Sequence, residues 1–366
     1  MERSILKELT KVNVEAYVNR QREEWLNKLY WQSFFPLKYT TQLTWESLAG
    51  SGGNPVMADV IEYNASAPLK SRRVVTKTTG DIPKIALKRQ MDEKDMNDYN
   101  ILKALSQGDS NRNALLDLVF NDIDFCYSGV MARTEYLAMQ ALSYGAISLT
   151  TSNNNGIVTE VDCDFGIPAA NKDGASVIWS NASGAYPMTD FKTIQETARA
   201  AGYPLGYALM DRTTLTYMLA AESVQDAYSV FQGVSARARK TAPTFDDLNN
   251  MLGAYLYPKI ILVDSTVRFE SNDHALTSVA AWKTGYVTFI PEVAVGNVLH
   301  GPIAEESATS VSKKAIQVKR DHVLISKWSE LEPFGEFTKG QANAFPRFND
   351  VNGIFILNSE NPSTFA

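Results

Sequence analysis

Three histidines, two cysteines and several adjacent carboxylates are the side chains of this 366-residue sequence that could hold a metal ion or move a proton. Such chemistry needs its groups at spacings that fold onto one place, as when two histidines lie one helical turn apart with a glutamate between them. His274, His300 and His322 stand more than twenty residues apart in unrelated contexts, and no HExxH or other two-histidine zinc spacing occurs. Cys126 and Cys163 belong to no CxxC pair and read as two reduced thiols. Asp246-Asp247 and Glu305-Glu306 offer carboxylates for a divalent cation or an acid–base pair, but adjacent carboxylates are ordinarily a solvated face. Gly50-Ser51-Gly52-Gly53 lacks the GK[ST] ending of a phosphate cradle and reads as a hinge. Asp164-Phe165-Gly166 spells the metal-binding triplet of protein kinases, without the glycine-rich loop, the VAIK lysine or the HRD loop that give it meaning. A GxSxG elbow is missing too. No nucleophile, base and orienting group announce themselves together, and no cofactor is implied. Were this an α/β enzyme, Asp211 and Asp264, each just after a predicted strand, would be its acid or base.

Composition points the same way. The chain is 45% hydrophobic and 21% charged, enough to fold two or three compact lobes. With 41 acidic against 35 basic side chains, its net charge of -6 argues against tight, sequence-independent binding to phosphate backbones. The opening Met-Glu-Arg-Ser carries no cationic region followed by an apolar run. No apolar stretch approaches the roughly 20 residues that cross a bilayer. The expectation is a soluble protein made in the cytosol.

The elements that would position these groups follow an unusual order. Residues 3 to 35 begin amphipathically, with Ile5, Leu9, Val12 and Ala16 at helical spacing, and end in Trp25, Tyr30, Trp31, Phe34 and Phe35. An arm of that kind cannot bury its rings alone; it docks on its own body or reaches a neighbouring molecule. After the glycine hinge, residues 56 to 63, 72 to 78 and 82 to 89 alternate as strands do. A two-stranded ribbon here would project on the order of 30 Å and, being marginal alone, needs a surface to lie on. Lys70, Arg72, Arg73, Lys77, Lys84, Lys88 and Arg89 predict that this surface is acidic.

From Asn111 to Gly145, apolar side chains recur at Leu115, Val119, Ile123, Cys126, Val130, Leu137 and Ala141, with Asp109-Ser110-Asn111 as capping residues and Gly145 at the far end. Such a helix runs roughly 50 Å. Beyond about residue 175 the pattern alternates. A helix from Asp190 to Ala201 stops at Gly202, a strand covers Leu205 to Met210, and Asp211 caps a helix through Ala221. Phe245 to Leu252 precedes the β-branched run at 260 to 263, and a strand follows from Tyr286, ended by Pro291. That alternation predicts a lobe with a central sheet and flanking helices. The tail returns to strands at 315–320, 323–328 and 353–357, beside the long helix.

This order of parts resembles the major capsid protein of tailed bacteriophages, and more narrowly the lambda-type family called capsid protein E. The resemblance is carried by Ile82-Pro83-Lys84-Ile85 with Leu87-Lys88-Arg89 and Met91-Asp92-Glu93; by Glu135-Tyr136-Leu137-Ala138-Met139-Gln140-Ala141-Leu142 leading into Gly145, Gly156 and Val161-Asp162-Cys163-Asp164-Phe165-Gly166; and by Gly285 to Pro291 followed by Gly296-Asn297-Val298-Leu299-His300-Gly301-Pro302. Each match is short, but their order spans nearly the whole chain.

The resemblance implies an α+β chain with the tailed-phage major capsid fold. Its parts would be an N-terminal arm at 1–49, an extended two-stranded β-loop at 50–92 and a peripheral domain at 93–175 holding the spine helix at about 111–145. A mixed α/β axial domain at 176–302 and C-terminal strands at 303–366 returning to the peripheral domain complete it. It implies a major capsid protein, not an enzyme, whose copies form hexamers and pentamers and close into an icosahedral head around double-stranded DNA, with the DNA as non-specific cargo. Lys70, Arg72, Arg73, Lys77 and Arg89 of the loop, with Trp25, Trp31 and Phe34 of the arm, are the expected subunit-contact residues. Further partners are a portal protein, a decoration protein as an optional addition and, because no long charged coiled-coil segment precedes the arm, a separately encoded scaffolding protein. The place is the virion, after assembly in the host bacterial cytoplasm, with no membrane. An encapsulin-like cage or another virion component is the alternative, and an α/β enzyme the third reading.

Overall fold

A single helix of 36 residues, Asp109–Tyr144, is the longest element and about 54 Å long. In the computed structural model the described residues are 10–26, 29–49, 76–105, 109–150, 153–154, 161–233, 241–270, 275–308, 314–332, 334–362 and 365. They divide into two compact units, one made of 1–45, 81–138 and 298–346, the other of 46–80, 139–297 and 347–366.

The first unit is a sheet carrying the long helix as far as Ala138. Its strand order is Leu37–Tyr39, Gly296–His300, Phe334–Phe348, Val323–Leu331 and Ile316–Arg320, with Lys84–Met91 also paired to Phe334–Phe348. Ile123, Cys126, Val130 and Leu137 of the expected helix stripe are all buried. Helix and sheet touch where side chains are smallest. The Cys126 thiol donates to the Thr338 carbonyl at 3.4 Å, and a Cβ on Gly340 would run into the backbone of Cys126. Sequence periodicity missed Phe334–Phe348. It is buried on both faces and carries Glu336, Thr338 and Gln341 inside, so neither period-two alternation nor an apolar run marks it.

Two further expectations change here. Lys84–Met91 does not belong to a projecting ribbon: it is paired from Lys84 opposite Asn343 to Met91 opposite Glu336. Helix Lys11–Leu26 exists, but the face it buries carries Val14 and Val18, while Val12 and Ala16 of the expected stripe are exposed. Tyr17 fixes that phase by stacking on Phe120 at 4.3 Å and donating to Asp124. Ile5 and Leu9 lie outside the described residues.

The second unit is the predicted mixed layer. Its five strands run in the order Lys172–Ala175, Phe355–Pro362, Tyr286–Ile290, Tyr207–Met210 and Lys259–Leu262. The outer pairs are parallel and the two central pairings antiparallel. Helices Pro187–Ala201, Arg212–Ala220, Glu222–Phe231 and Phe245–Ala254 bury Phe191, Met218, Val224 and Met251 in its core with Trp179 and Phe289. The indole of Trp179 donates to Asp190 at 2.8 Å, so this buried carboxylate is partnered. The last strand joins this sheet rather than the tail's other strands, because its run of buried residues from Phe355 to Ser359 suits a position covered on both faces. A hairpin pairs Ala146–Leu149 with Val161–Asp164 just after the long helix. Strands Thr44–Ala49 and Thr76–Asp81 pair with each other, and residues 50 to 75, which join them, lie outside the described residues.

Candidate assembly surfaces

The expected contact residues divide by where the chain holds them. Trp31 and Phe34 sit in the short helix Trp31–Phe34, and they are 0% and 2% exposed within the chain's own first unit. The arm docks on its own body there because Glu135 of the long helix accepts from the backbone N–H of Trp31 at 2.8 Å and of Tyr30 at 3.1 Å. A buried carboxylate thus serves the open N–H groups at a helix start. Both rings are corrected from subunit contacts to core residues. The backbone of Trp25 lies in helix Lys11–Leu26, and its side chain is outside the described residues.

Arg89 is also committed within its own unit. Its Nε lies 3.4 Å from Asp122 Oδ1, its Nη1 donates to Asn121 at 3.4 Å, and its guanidinium stands 5.0 Å from the centre of the Phe125 ring. Lys84 Nζ is 3.7 Å from Glu305, which also takes Lys339 at 2.6 Å. Burial opposes ionisation of Glu305, yet the ammonium of Lys339 holds its carboxyl below the usual range. Lys88 stands over the ring of Phe337 at 4.7 Å. Burial raises the Asp122 carboxyl, against the opposing pull of Lys327 and Arg89. Three cations assigned to the ribbon therefore fasten a strand to its own sheet and helix. Lys70, Arg72 and Arg73 lie outside the described residues, as does the side chain of Lys77, whose backbone belongs to strand Thr76–Asp81.

The groups that could have done chemistry have structural work. Asp211 accepts from Thr213 N at 3.1 Å and from the Thr214 hydroxyl, capping helix Arg212–Ala220. Asp264 pairs with Arg212 Nε at 2.6 Å. Asp164 accepts from Gly166 N at 2.9 Å, while Phe165 packs edge-on to Phe348, so the kinase-like triplet is a turn. Burial pushes the Cys126 thiol up to about 11 and the Cys163 thiol up to about 12, which keeps both protonated.

His300 and His322 do come together, with ring centres 6.4 Å apart. The Thr134 hydroxyl directs its proton at Val130 O at 3.0 Å, so His322 Nε2, 3.0 Å from Thr134 Oγ1, carries a proton and donates to that hydroxyl oxygen. Burial, then the neighbouring His300, pushes His322 down to about 4. Among the described residues no group of three or more histidine, cysteine, aspartate or glutamate side chains is placed to hold a metal ion. No helix among them is long and apolar enough to cross a membrane.

Comparison with known proteins places this architecture. A family model described as phage major capsid protein E matches residues 11–359. Among solved structures, the chain is similar to a protein of an Escherichia coli CFT073 prophage described as a capsid protein, with TM-score 0.58, 15% identity, and coverage of 96% of this chain and 99% of that one. It is also similar to the capsid asymmetric unit of cyanophage A-1(L), with TM-score 0.52, 10% identity and 92% of each chain covered. At these identities the likeness speaks for the fold. No curated protein matches the chain by sequence.

Proposed function

Because this chain belongs to the phage major capsid protein E family and so is a structural protein of the virion that builds the phage head, we propose that its copies gather as hexamers and pentamers held by segment 50 to 75 of each laid across a neighbour. The observation that carries this reading is the strand pair Thr44–Ala49 with Thr76–Asp81. That pairing brings the two ends of the joining segment side by side, and Lys70, Arg72 and Arg73 fall in the last six residues before the second strand in sequence. Cations so placed would meet carboxylates of the next copy. Each exposed pair adds only about 0 to 1 kcal/mol. A shell repeats them in every subunit, and weak, numerous contacts let misplaced copies leave before closure.

The five-part division into arm, loop, peripheral domain, axial domain and returning strands serves this reading, with the loop's projecting part ending at the pairing rather than at residue 92. Contacts between tiles do not by themselves choose a closure radius. A separately encoded scaffolding protein would set it, a portal protein would occupy the point of DNA entry, and a decoration protein would be an outer addition, all in the host bacterial cytoplasm.

Deleting residues 56 to 73, which leaves strand Thr76–Asp81 to pair with Thr44–Ala49, tests the reading. The variant is expected to remain folded by circular dichroism and to form no shells in negative-stain microscopy when expressed with its genomic neighbours. Shells of ordinary yield from that deletion would remove the segment from assembly.

A further inference from the structure

The sequence holds one Asp-Gly pair, Asp173-Gly174, and it lies in the outermost strand of the second unit's sheet, Lys172–Ala175. Glycine in that place leaves its amide nitrogen open to the preceding side chain, because no Cβ stands in the way. The geometry uses the opening. Gly174 N lies 2.9 Å from Asp173 Oδ1 and donates to it, so the carboxyl is folded back onto the very next peptide link. Other aspartates turn back further along the chain. Asp164 accepts from Gly166 N and Asp211 from Thr213 N, each two residues on, where attack on the carboxyl would close no five-membered ring.

The surroundings leave the link accessible. Asp173 is exposed, and its strand pairs on one side only, with Phe355–Pro362. That pairing is regular from Lys172 opposite Ile356 to Gly174 opposite Asn358, and the register then jumps to Ala175 opposite Pro362. The link between Asp173 and Gly174 is therefore at the last regular rung.

We propose that Asp173-Gly174 is a site of spontaneous succinimide formation, through which Asp173 converts to isoaspartate in the folded chain. Gly174 N loses its proton and bonds Asp173 Cγ, while a carboxyl oxygen leaves with that proton as part of a water molecule. The product is a five-membered imide. Water then adds back at either carbonyl: cleavage of the new Cγ–N bond restores aspartate, and cleavage of the original C–N bond leaves the main chain running through Cγ. One water departs and one returns, so the reaction needs no oxidant or cofactor and leaves the mass unchanged.

The isoaspartate main chain is longer by one methylene. That added length falls just before Ala175, which is 0% exposed, and Ser176, whose N–H donates to Asp190 Oδ1 at 3.1 Å. Asp190 also holds the Trp179 indole at 2.8 Å. A close-packed edge cannot keep both the rung at Asn358 and the seat of Ala175 when the chain between them lengthens. Conversion therefore loosens this side of the second unit. A virion protein is not replaced once its particle is complete, so the change accumulates with the particle's age.

The test is peptide mapping of the full chain held at physiological temperature and neutral pH, with isoaspartate read by enzymatic methylation of its carboxylate. A peptide of residues 168–180 and the variant Asp173→Glu are held beside it. Isoaspartate is expected at position 173 of the folded chain at least as fast as in the peptide. None is expected in Asp173→Glu, whose longer side chain would have to close a six-membered ring. The melting temperature of wild type is expected to fall during the incubation while that of the variant holds. Slower conversion in the folded chain than in the peptide overturns the proposal, because the fold would then protect the link. Equal loss of melting temperature in wild type and variant overturns the loosening of the sheet. The readout is chemical and needs no assembly, so it is independent of how copies of the chain hold one another.

Discussion

At the scale of single residues, buried His322 gives the first unit a specific sensitivity to acid. His322 is neutral in the fold, pushed down to about 4 from an ordinary 6.5. As pH falls the unfolded chain takes up a proton before the folded one does. Stability is therefore full above pH 6.5 and is lost progressively down to pH 4, by at most about 3 kcal/mol from this ring. His322→Gln keeps an amide donor facing Thr134 and binds no proton, so its melting temperature is expected to fall less than wild type's between pH 6.5 and 4.5. Parallel curves for the two proteins would assign the acid sensitivity to carboxylates instead. Of such residues the sequence showed only the types. That His300 and His322 meet depends on strand pairings distant along the chain, and nothing in their spacing marks it.

Element by element, legibility follows local periodicity. The long helix, helix Pro187–Ala201 ended by Gly202 at φ 89°, and the Asp211 cap are all written in short-range patterns and stand close to where those patterns put them. The arm's phase was not readable, because Val14, Tyr17 and Val18 choose their face by what covers them. Nor was the strand role of Lys84–Met91, whose cations resemble those of a solvated ribbon until Asp122, Glu305 and Phe337 are seen to receive them. Of the expected contact set, the rings at 31 and 34 failed for the same reason: composition tells that aromatic side chains will be covered and not by which molecule. The tie between arm and helix is Glu135. Glu135→Ala strips the acceptor from two N–H groups, one of them buried, at a cost of about 1–3 kcal/mol. Limited proteolysis is expected to cut that variant between residues 26 and 36 well before wild type. Equal resistance would mean that the buried rings hold the arm unaided.

At the scale of the whole molecule, family membership and the head-building role rest on agreement across residues 11–359 rather than on any one motif. The family was legible for that reason, whereas the left-handed, exposed position of Leu256 was invisible, since a leucine in a helical run signals core until its φ and exposure are known. If loop cations bind neighbouring carboxylates, Arg72→Glu with Arg73→Glu weakens assembly most at low salt, and added salt narrows the gap from wild type as the Debye length shrinks from about 10 Å at 0.1 M to about 3 Å at 1 M. Sedimentation profiles that match wild type at every ionic strength would take these two cations out of the interface. A different consequence follows from how the polypeptide is shared out. It passes from one unit to the other after residues 45, 80, 138, 297 and 346, so each unit is assembled from separated stretches. No single breakpoint exchanges one unit whole between two related phages: a crossover anywhere between residues 46 and 346 makes both units hybrids, so they must diverge together. On the ribosome neither is complete until its last stretch emerges, which postpones a competent tile until nearly the full chain has been made.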